Sequence, residues 1–232
     1  FGDGLVNALY AVYADGLPEF QEKYFEMLKA GGSKHHKELL APFGLDATDP
    51  KFWDIFAAAE AMDAPIYLHP NSLPPGMYEP FAEAGLDGAI YGFGVETGLH
   101  AMRIIAAGVF DRFPKLKIVL GHLGEGLPFW LYRIDFMHAG IVRSGRSPGA
   151  QPLQRKPSDY LRENFYYTTS AMPWAPAIRF VQEQMGHDRV MYAMDYPYQY
   201  VAEEVSAMDA LPLTPEQKKM FFQTNAERIF RL

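Results

Sequence analysis

From Asp46 onward, short and wholly apolar runs alternate with longer stretches whose apolar residues recur every three or four positions. The runs Pro65-Ile66-Tyr67-Leu68, Lys117-Ile118-Val119-Leu120, Phe165 to Thr169 and Val190 to Met194 predict buried strands. The periodic stretches predict helices. One opens at Asp49-Pro50 and continues through Phe52, Trp53, Ile55, Phe56, Ala59 and Glu60. A second begins at Glu96-Thr97, with Leu99, Met102, Ala106, Val109 and Phe113 on one face and Pro114 as its stop. A third runs through Trp130 and Phe136 to about Ala139, followed by a basic, Pro/Gly-rich loop over 143–157. Further helices are expected over Ser158 to Glu163, Pro176 to Met185, Tyr200 to Met208 and Thr214 to Phe222. The last of these opens on Thr214-Pro215-Glu216-Gln217, a capping box with proline in the first turn.

Strands alternating with helices of ordinary length predict parallel βα units, so the fold class is α/β. Right-handed crossovers would gather the carboxyl ends of all the strands on one side, where a (β/α) barrel carries its chemistry. Before Asp46 the pattern is weaker. Leu5 to Tyr13 fits either a buried strand or a helix, and Leu17 to Lys29 reads as a helix with Phe20, Tyr24, Met27 and Leu28 at helical spacing. Gly31-Gly32-Ser33-Lys34 breaks it, and His35-His36 reads as a solvated polar turn because adjacent residues face different ways.

Composition narrows the function classes. With 232 residues and 49% apolar content the chain can bury a large core, and one domain is the economical reading. A net charge of −7 without a long basic run argues against nucleic acid as a partner. There is no cysteine, so disulfides, thiolate metal sites and cysteine nucleophiles are excluded, and a metal would sit on histidine and carboxylate. No run is apolar and long enough to span a membrane and no leader is recognisable, so the expected location is the cytoplasm. Phe1 in place of a start methionine leaves open that the chain begins inside a longer protein.

Three of the predicted strands end on residues that bind metals or move protons: His69, His122 and Asp195. A single histidine ending a strand is more often a hydrogen-bonded structural residue; three such ends on one rim favour a site. Imidazole and carboxylate suit Zn²⁺ or Mn²⁺, with His69 and Asp195 as the first candidates for ligands. His122 is either a third ligand or an acid/base group held by Glu125, three residues on. Arg133 offers a planar fork for a carboxylate, or else a surface pair with Asp135 or in the neighbourhood of Glu125. Tyr196 and Tyr198 flank the aspartate and could shape an aromatic pocket; Tyr198 and Trp130, each taken alone, read as packing residues, and His100, His138 and His187 as structural ones.

The segments GHLGEGLPFWLYRID (121–135), His69-Pro70, EAGLDGAIYGFGVETG (83–98) and YAMDYPYQY (192–200) resemble the metal-dependent aromatic acid decarboxylases of the amidohydrolase superfamily. The resemblance covers residues 46–232 and leaves 1–45 as an unmatched N-terminal segment. It implies a (β/α) barrel of the metal-dependent hydrolase type with one divalent ion, Mn²⁺ before Zn²⁺. It implies non-oxidative decarboxylation of a hydroxylated aromatic acid such as 5-carboxyvanillate, giving vanillate and CO₂. His69 and Asp195 correspond to metal ligands, and Asp195, His122 and Glu125 to the catalytic group. Arg133, which in the family reaches across a dimer interface, Tyr198 and Phe93 correspond to substrate-binding residues. The partners implied are a small aromatic carboxylic acid and further copies of the chain, as a homodimer or homotetramer, with neither nucleic acid nor membrane. Family members open on a strand carrying Glu-x-His or Glu-x-Ala, whose glutamate is a further ligand, and supply another substrate-binding arginine early in the barrel. Residues 1–45 contain no such strand motif, so the barrel is expected to be incomplete at its N-terminus. A fragment, a shortened homologue completed by another chain, a superfamily hydrolase using metal-bound water, and an inactive relative kept for assembly all remain open on the sequence.

Overall fold

The computed structural model describes residues 13–14, 16–30, 53–71, 73–74, 76–199 and 201–232. Most of the Leu5 to Tyr13 run, the glycine break at 31–34, His35-His36 and the Asp49-Pro50 helix start lie outside these residues. Within them, four short strands form the centre: β1 (Ile66–Leu68), β2 (Ile118–Leu120), β3 (Phe165–Thr168) and β4 (Val190–Met191). All pair in parallel, in the order β1-β2-β3-β4. That order carries the fold class. Each crossover returns the chain to the next position in the same direction, as in a barrel, whereas a doubly wound sheet reverses its order partway.

The residues of each strand divide between two faces. Ile118, Leu120, Phe165, Tyr167 and Val190 pack into the main core, with the helices α4 (Gly92–Ala106), α5 (Val109–Arg112), α6 (Leu127–Ser144), α7 (Pro157–Glu163) and α8 (Ala175–Met185) over them. Val119, Tyr166 and Met191 belong to a second cluster closed by Ile229. Burial on both faces explains why β2, β3 and β4 read as continuous apolar runs rather than alternating ones, whereas Tyr67 of β1 is exposed. Phe110 anchors the main core, stacked on Tyr160 at 5.7 Å and edge-on to Phe165 at 5.3 Å. Buried Asn164 ties the starts of two strands together: its amide donates to the carbonyls of Pro114 (2.9 Å) and Leu116 (3.0 Å), and its own carbonyl receives Ile118 N–H.

Before the sheet lie α1 (Phe20–Ala30) and α2 (Trp53–Ala61), and α3 (Tyr78–Glu83) precedes α4. Several predicted boundaries move. The helix expected from Glu96 to Phe113 begins four residues earlier, at Gly92, and is split by Gly108, whose φ of +73° turns the chain into α5. The strand expected over 190–194 stops at Met191. Beyond it Tyr192 N–H is taken by Phe221 O and Ala193 N–H by the Thr169 hydroxyl, so no ladder continues. The chain then forms α9 (Ala202–Asp209), α10 (Pro215–Lys219), a π-helical turn over Met220–Thr224 and α11 (Asn225–Phe230).

The capping box forms as read: Thr214 Oγ1 accepts from Gln217 N–H at 3.2 Å, and Gln217 Oε1 accepts from Thr214 N–H at 2.9 Å. Thr214→Ala should therefore lower unfolding stability by about 1 kcal/mol in a denaturant titration. Among the described residues no helix is long and apolar enough to cross a membrane.

Candidate active site

Past β2 the chain enters five successive residues with positive φ: His122 (+50°), Leu123 (+55°), Gly124 (+89°), Glu125 (+54°) and Gly126 (+76°). Three of them carry side chains, at a cost on the order of 1 kcal/mol or more each, so the surrounding structure must impose the turn. Gly124 shows how. A Cβ there would stand 2.8 Å from the ring of Tyr167, which is itself buried and donates its hydroxyl to Leu161 O at 2.5 Å. The backbone must pass flat against that ring, and the tight turn brings two side chains face to face. His122 Nδ1 lies 2.5 Å from Glu125 Oε1.

The carboxylate of this pair is nearly out of water (5% exposed) and the imidazole about one-fifth exposed. Glu125 raises the proton affinity of His122 above the ordinary imidazole value through that hydrogen bond. Burial opposes the shift, and the negative charges of Glu125 and then Asp195 add to it. A raised folded-state pKa contributes stability that is present below the unfolded value and is lost as pH rises through the folded one. Glu125→Gln should thus cost most stability at mildly acidic pH, below the unfolded value of His122. The difference from the parent should narrow as pH rises past the folded value of His122, which denaturant titrations across that range would check.

His69 follows β1 directly and is exposed; its Nδ1 is 2.9 Å from Pro70 O. Donation of that N–H to the carbonyl leaves the Nε2 lone pair free. Asp195 lies four residues beyond β4 at φ +70°, and its carbonyl receives the N–H groups of Tyr198 and Gln199, both at 3.0 Å. The Tyr196–Pro197 peptide is cis. The loop is seated by Tyr192, whose ring packs on Phe221 and Phe222 at 6.0 and 5.3 Å. His69, His122 and Asp195 thus stand at the carboxyl ends of β1, β2 and β4 in one parallel sheet, and Asp195 is near enough for its charge to act on His122.

A line of hydroxyls lies beside them. Tyr67 Oη meets Thr168 Oγ1 at 2.8 Å, and Thr168 Oγ1 meets Ser170 Oγ at 3.0 Å. Tyr67 and Thr168 sit on strands two apart, so their bridge crosses over β2. Gly121 is level with this crossing, and even an added Cβ there would stop 3.9 Å from Thr168 Oγ1. None of these hydroxyls is singled out by the sequence reading. The available signal is the polar Thr168-Thr169-Ser170 step that ends an aromatic run, all of it buried.

Other expected site residues lie elsewhere. Arg133 is on the outer part of α6, exposed, with its guanidinium 5.9 Å above the Trp130 ring. The surface pair with Asp135 is not made, because that carboxylate accepts from Ser158 N–H (2.9 Å) and Oγ–H (2.7 Å). Tyr198 is 85% exposed and Tyr196 76%, so neither lines an enclosed pocket among the described residues. Trp130 is also half-exposed, beside Phe129. Phe93 is half-buried in the first turn of α4, next to Gly94, which faces Glu125. His100 is half-buried on α4 and held below the ordinary imidazole value by burial first, with Arg103 adding and Glu96 opposing.

A divalent ion would find suitable donor types here. His69 Nε2 and the Asp195 carboxylate are the nitrogen and oxygen ligands such an ion prefers. Their number is too small. Among the described residues no three His, Asp or Glu side chains group closely enough to hold a metal. The described residues therefore fit a metal only as part of a larger donor set.

The model of the amidohydrolase family matches residues 21–232. This chain belongs to that family. Among solved structures, it is similar to the 5-carboxyvanillate decarboxylase of Novosphingobium aromaticivorans complexed with manganese and 4-hydroxy-3-methoxy-5-nitrobenzoic acid: 53% identity, TM-score 0.78, covering 82% of this chain and 54% of that one. It is similar also to the 5-carboxyvanillate decarboxylase of Sphingomonas paucimobilis, with 44% identity, a TM-score of 0.76, and coverage of 81% and 55%. A γ-resorcylate decarboxylase from a Polaromonas species is 34% identical over 183 residues, 78% of this chain and 55% of the relative. The chain spans about half the length of these relatives. The family and the parallel α/β fold expected from the sequence are both borne out, and the relatives are aromatic acid decarboxylases.

Proposed function

We propose that this chain forms part of a metal-dependent decarboxylase acting on a hydroxylated aromatic acid, with 5-carboxyvanillate as the first substrate to try. The observation that carries the reading is the His122–Glu125 pair on the strand rim, with Asp195 close enough to act on it electrostatically. Its similarity to solved 5-carboxyvanillate decarboxylases narrows the substrate class. His69 and Asp195 would contribute to holding Mn²⁺, with Zn²⁺ as the alternative, and donors outside the described residues would complete the set. When bound, such an ion would polarise the phenolate and carboxylate oxygens of the substrate and fix its orientation.

The chain's own groups supply the proton chemistry. Asp195 takes the proton that the substrate's phenol gives up and delivers it to the ring carbon bearing the carboxylate. A C–H bond forms there. The C–C bond then breaks, its electron pair restores the aromatic ring, and CO₂ leaves. His122, its proton affinity raised by Glu125, sits beside the substrate as a hydrogen-bond donor to the carboxylate until it departs. Arg133, Phe93 and Tyr198 remain candidates for substrate contact. For Arg133 and Tyr198, exposed in one chain, that contact would be made in an assembly. The exposed aromatic side of α6, with Phe129, Trp130, Tyr132 and Phe136, supports a homodimer or homotetramer.

The test is incubation with 5-carboxyvanillate and Mn²⁺, following CO₂ and vanillate by chromatography. Absence of both products, with a folded and metal-loaded protein, would overturn the proposed activity. A second reading, a catalytically silent homologue, is favoured by the small number of donors among the described residues. A folded protein that retains no Mn²⁺ or Zn²⁺ after dialysis would support it.

A further inference from the structure

We propose that Gly94 is a positioning residue of the candidate site: its bare backbone, in the first turn of α4, forms the seat against which Glu125 rests so that the carboxylate meets His122. This inference rests on the proposed role of the His122–Glu125 pair. Glu125 has two oxygens and only one is taken by the imidazole. Oε1 is 2.5 Å from His122 Nδ1. Oε2 lies beside α4, where a Cβ added at Gly94 would stand 3.0 Å from it. One turn further on, a Cβ at Gly98 would lie 3.6 Å from Glu125 Cβ and 3.6 Å from its carbonyl oxygen, an ordinary contact. The i and i+4 glycines share one face of the helix, and that face lies along Glu125.

The two positions differ in what a methyl would do. At Gly98 it would touch the stem of Glu125 without displacing it. At Gly94 the carboxylate itself must give way by a few tenths of an ångström. It cannot swing into solvent, because the side chain is nearly buried, and it stands on a turn of five left-handed residues fixed against Tyr167. The displacement must pass into the His122–Glu125 bond. Glycine raises the entropy cost of folding a helix, and at Gly94 the close approach of the carboxylate explains that cost.

The experiment is proton NMR of the full 232-residue chain, observing the far-downfield resonance of an imidazole N–H held by a carboxylate. The parent should show it, and Glu125→Gln should lose it. Gly94→Ala should lose it or move it upfield, and Gly98→Ala should keep it. In the metal-loaded enzyme Gly94→Ala should lower kcat by about tenfold with KM little changed; a 1 Å misplacement in a catalytic site costs roughly a hundredfold. A Gly94→Ala resonance identical to that of the parent would overturn the proposal while leaving the pair intact. A resonance that survives Glu125→Gln would overturn the pair itself and the proposal with it. If Gly94→Ala does not fold, Gly94→Ala combined with Glu125→Ala removes the atom that the methyl meets and should restore folding. Failure to restore it would place the clash elsewhere and overturn the proposal.

Discussion

Asp195→Asn is expected to lower the rate of CO₂ release by about 10² to 10⁴-fold, the usual contribution of a positioned proton donor, without unfolding the protein. The substitution is structurally mild for a specific reason. Asp195 adopts φ +70°, and asparagine is among the few side chains that accept the left-handed region readily. The hydrogen bonds that shape the loop run from Tyr198 and Gln199 to the backbone carbonyl of Asp195, so they survive the change. What is lost is the carboxylate's ability to hold and release a proton. Its negative charge, which helps keep His122 protonated, disappears as well, so the imidazole pKa should fall in the variant. Product chromatography for turnover, circular dichroism for fold and metal analysis for retained ion separate the effects. Turnover within tenfold of the parent would remove Asp195 from the proton-donor role.

Phe165→Ala should destabilise the chain by about 3–5 kcal/mol, a large part of the total stability of a domain this size. Phe165 is fully buried in β3, paired with Ile118 of β2 and edge-on to Phe110. The cavity would open between two strands and α5, where Asn164 already fixes the strand starts through the Pro114 and Leu116 carbonyls, so little collapse is available to fill it. Because the proposed site is built at the far ends of the same strands, the variant should also lose the His122–Glu125 resonance at temperatures where the parent keeps it. Denaturant titration measures the first effect. A loss below 1 kcal/mol would mean that the sheet is not the centre of the core.

Much of this organisation was legible from residue order. Each of the four apolar runs contains a strand, and His69, His122 and Asp195 are legible from position because each follows its run on the same side of a parallel sheet, Asp195 four residues past the end of β4. The Thr214 capping box was equally local: both of its hydrogen bonds join residues three apart. The misread boundaries share a cause. Val190 to Met194 is apolar enough for a longer strand, yet Tyr192 finds Phe221 as its partner, and nothing in the run itself announces a residue so far along the chain. The apolar spacing from Glu96 continues across Gly108 and so predicts one unbroken helix; the glycine's left-handed turn breaks the axis while keeping Val109 and Phe110 in the core.

The sequence by itself therefore determined the order of strands and helices, the placement of His69, His122 and Asp195 on a common rim, and the family to which the chain belongs. Tertiary structure alone decided how the side chains meet. It set the left-handed turn that joins His122 to Glu125, the approach of Gly94 to that carboxylate, and the hydroxyl bridge between Tyr67 and Thr168, 101 residues apart. It also left Tyr198 in solvent and turned Asp135 from Arg133 to Ser158. The physical reason is one of range. Periodicity and caps are fixed by neighbours a few residues away, whereas contact between distant segments depends on packing the whole sheet, where one missing Cβ or one fixed ring decides which atoms can touch.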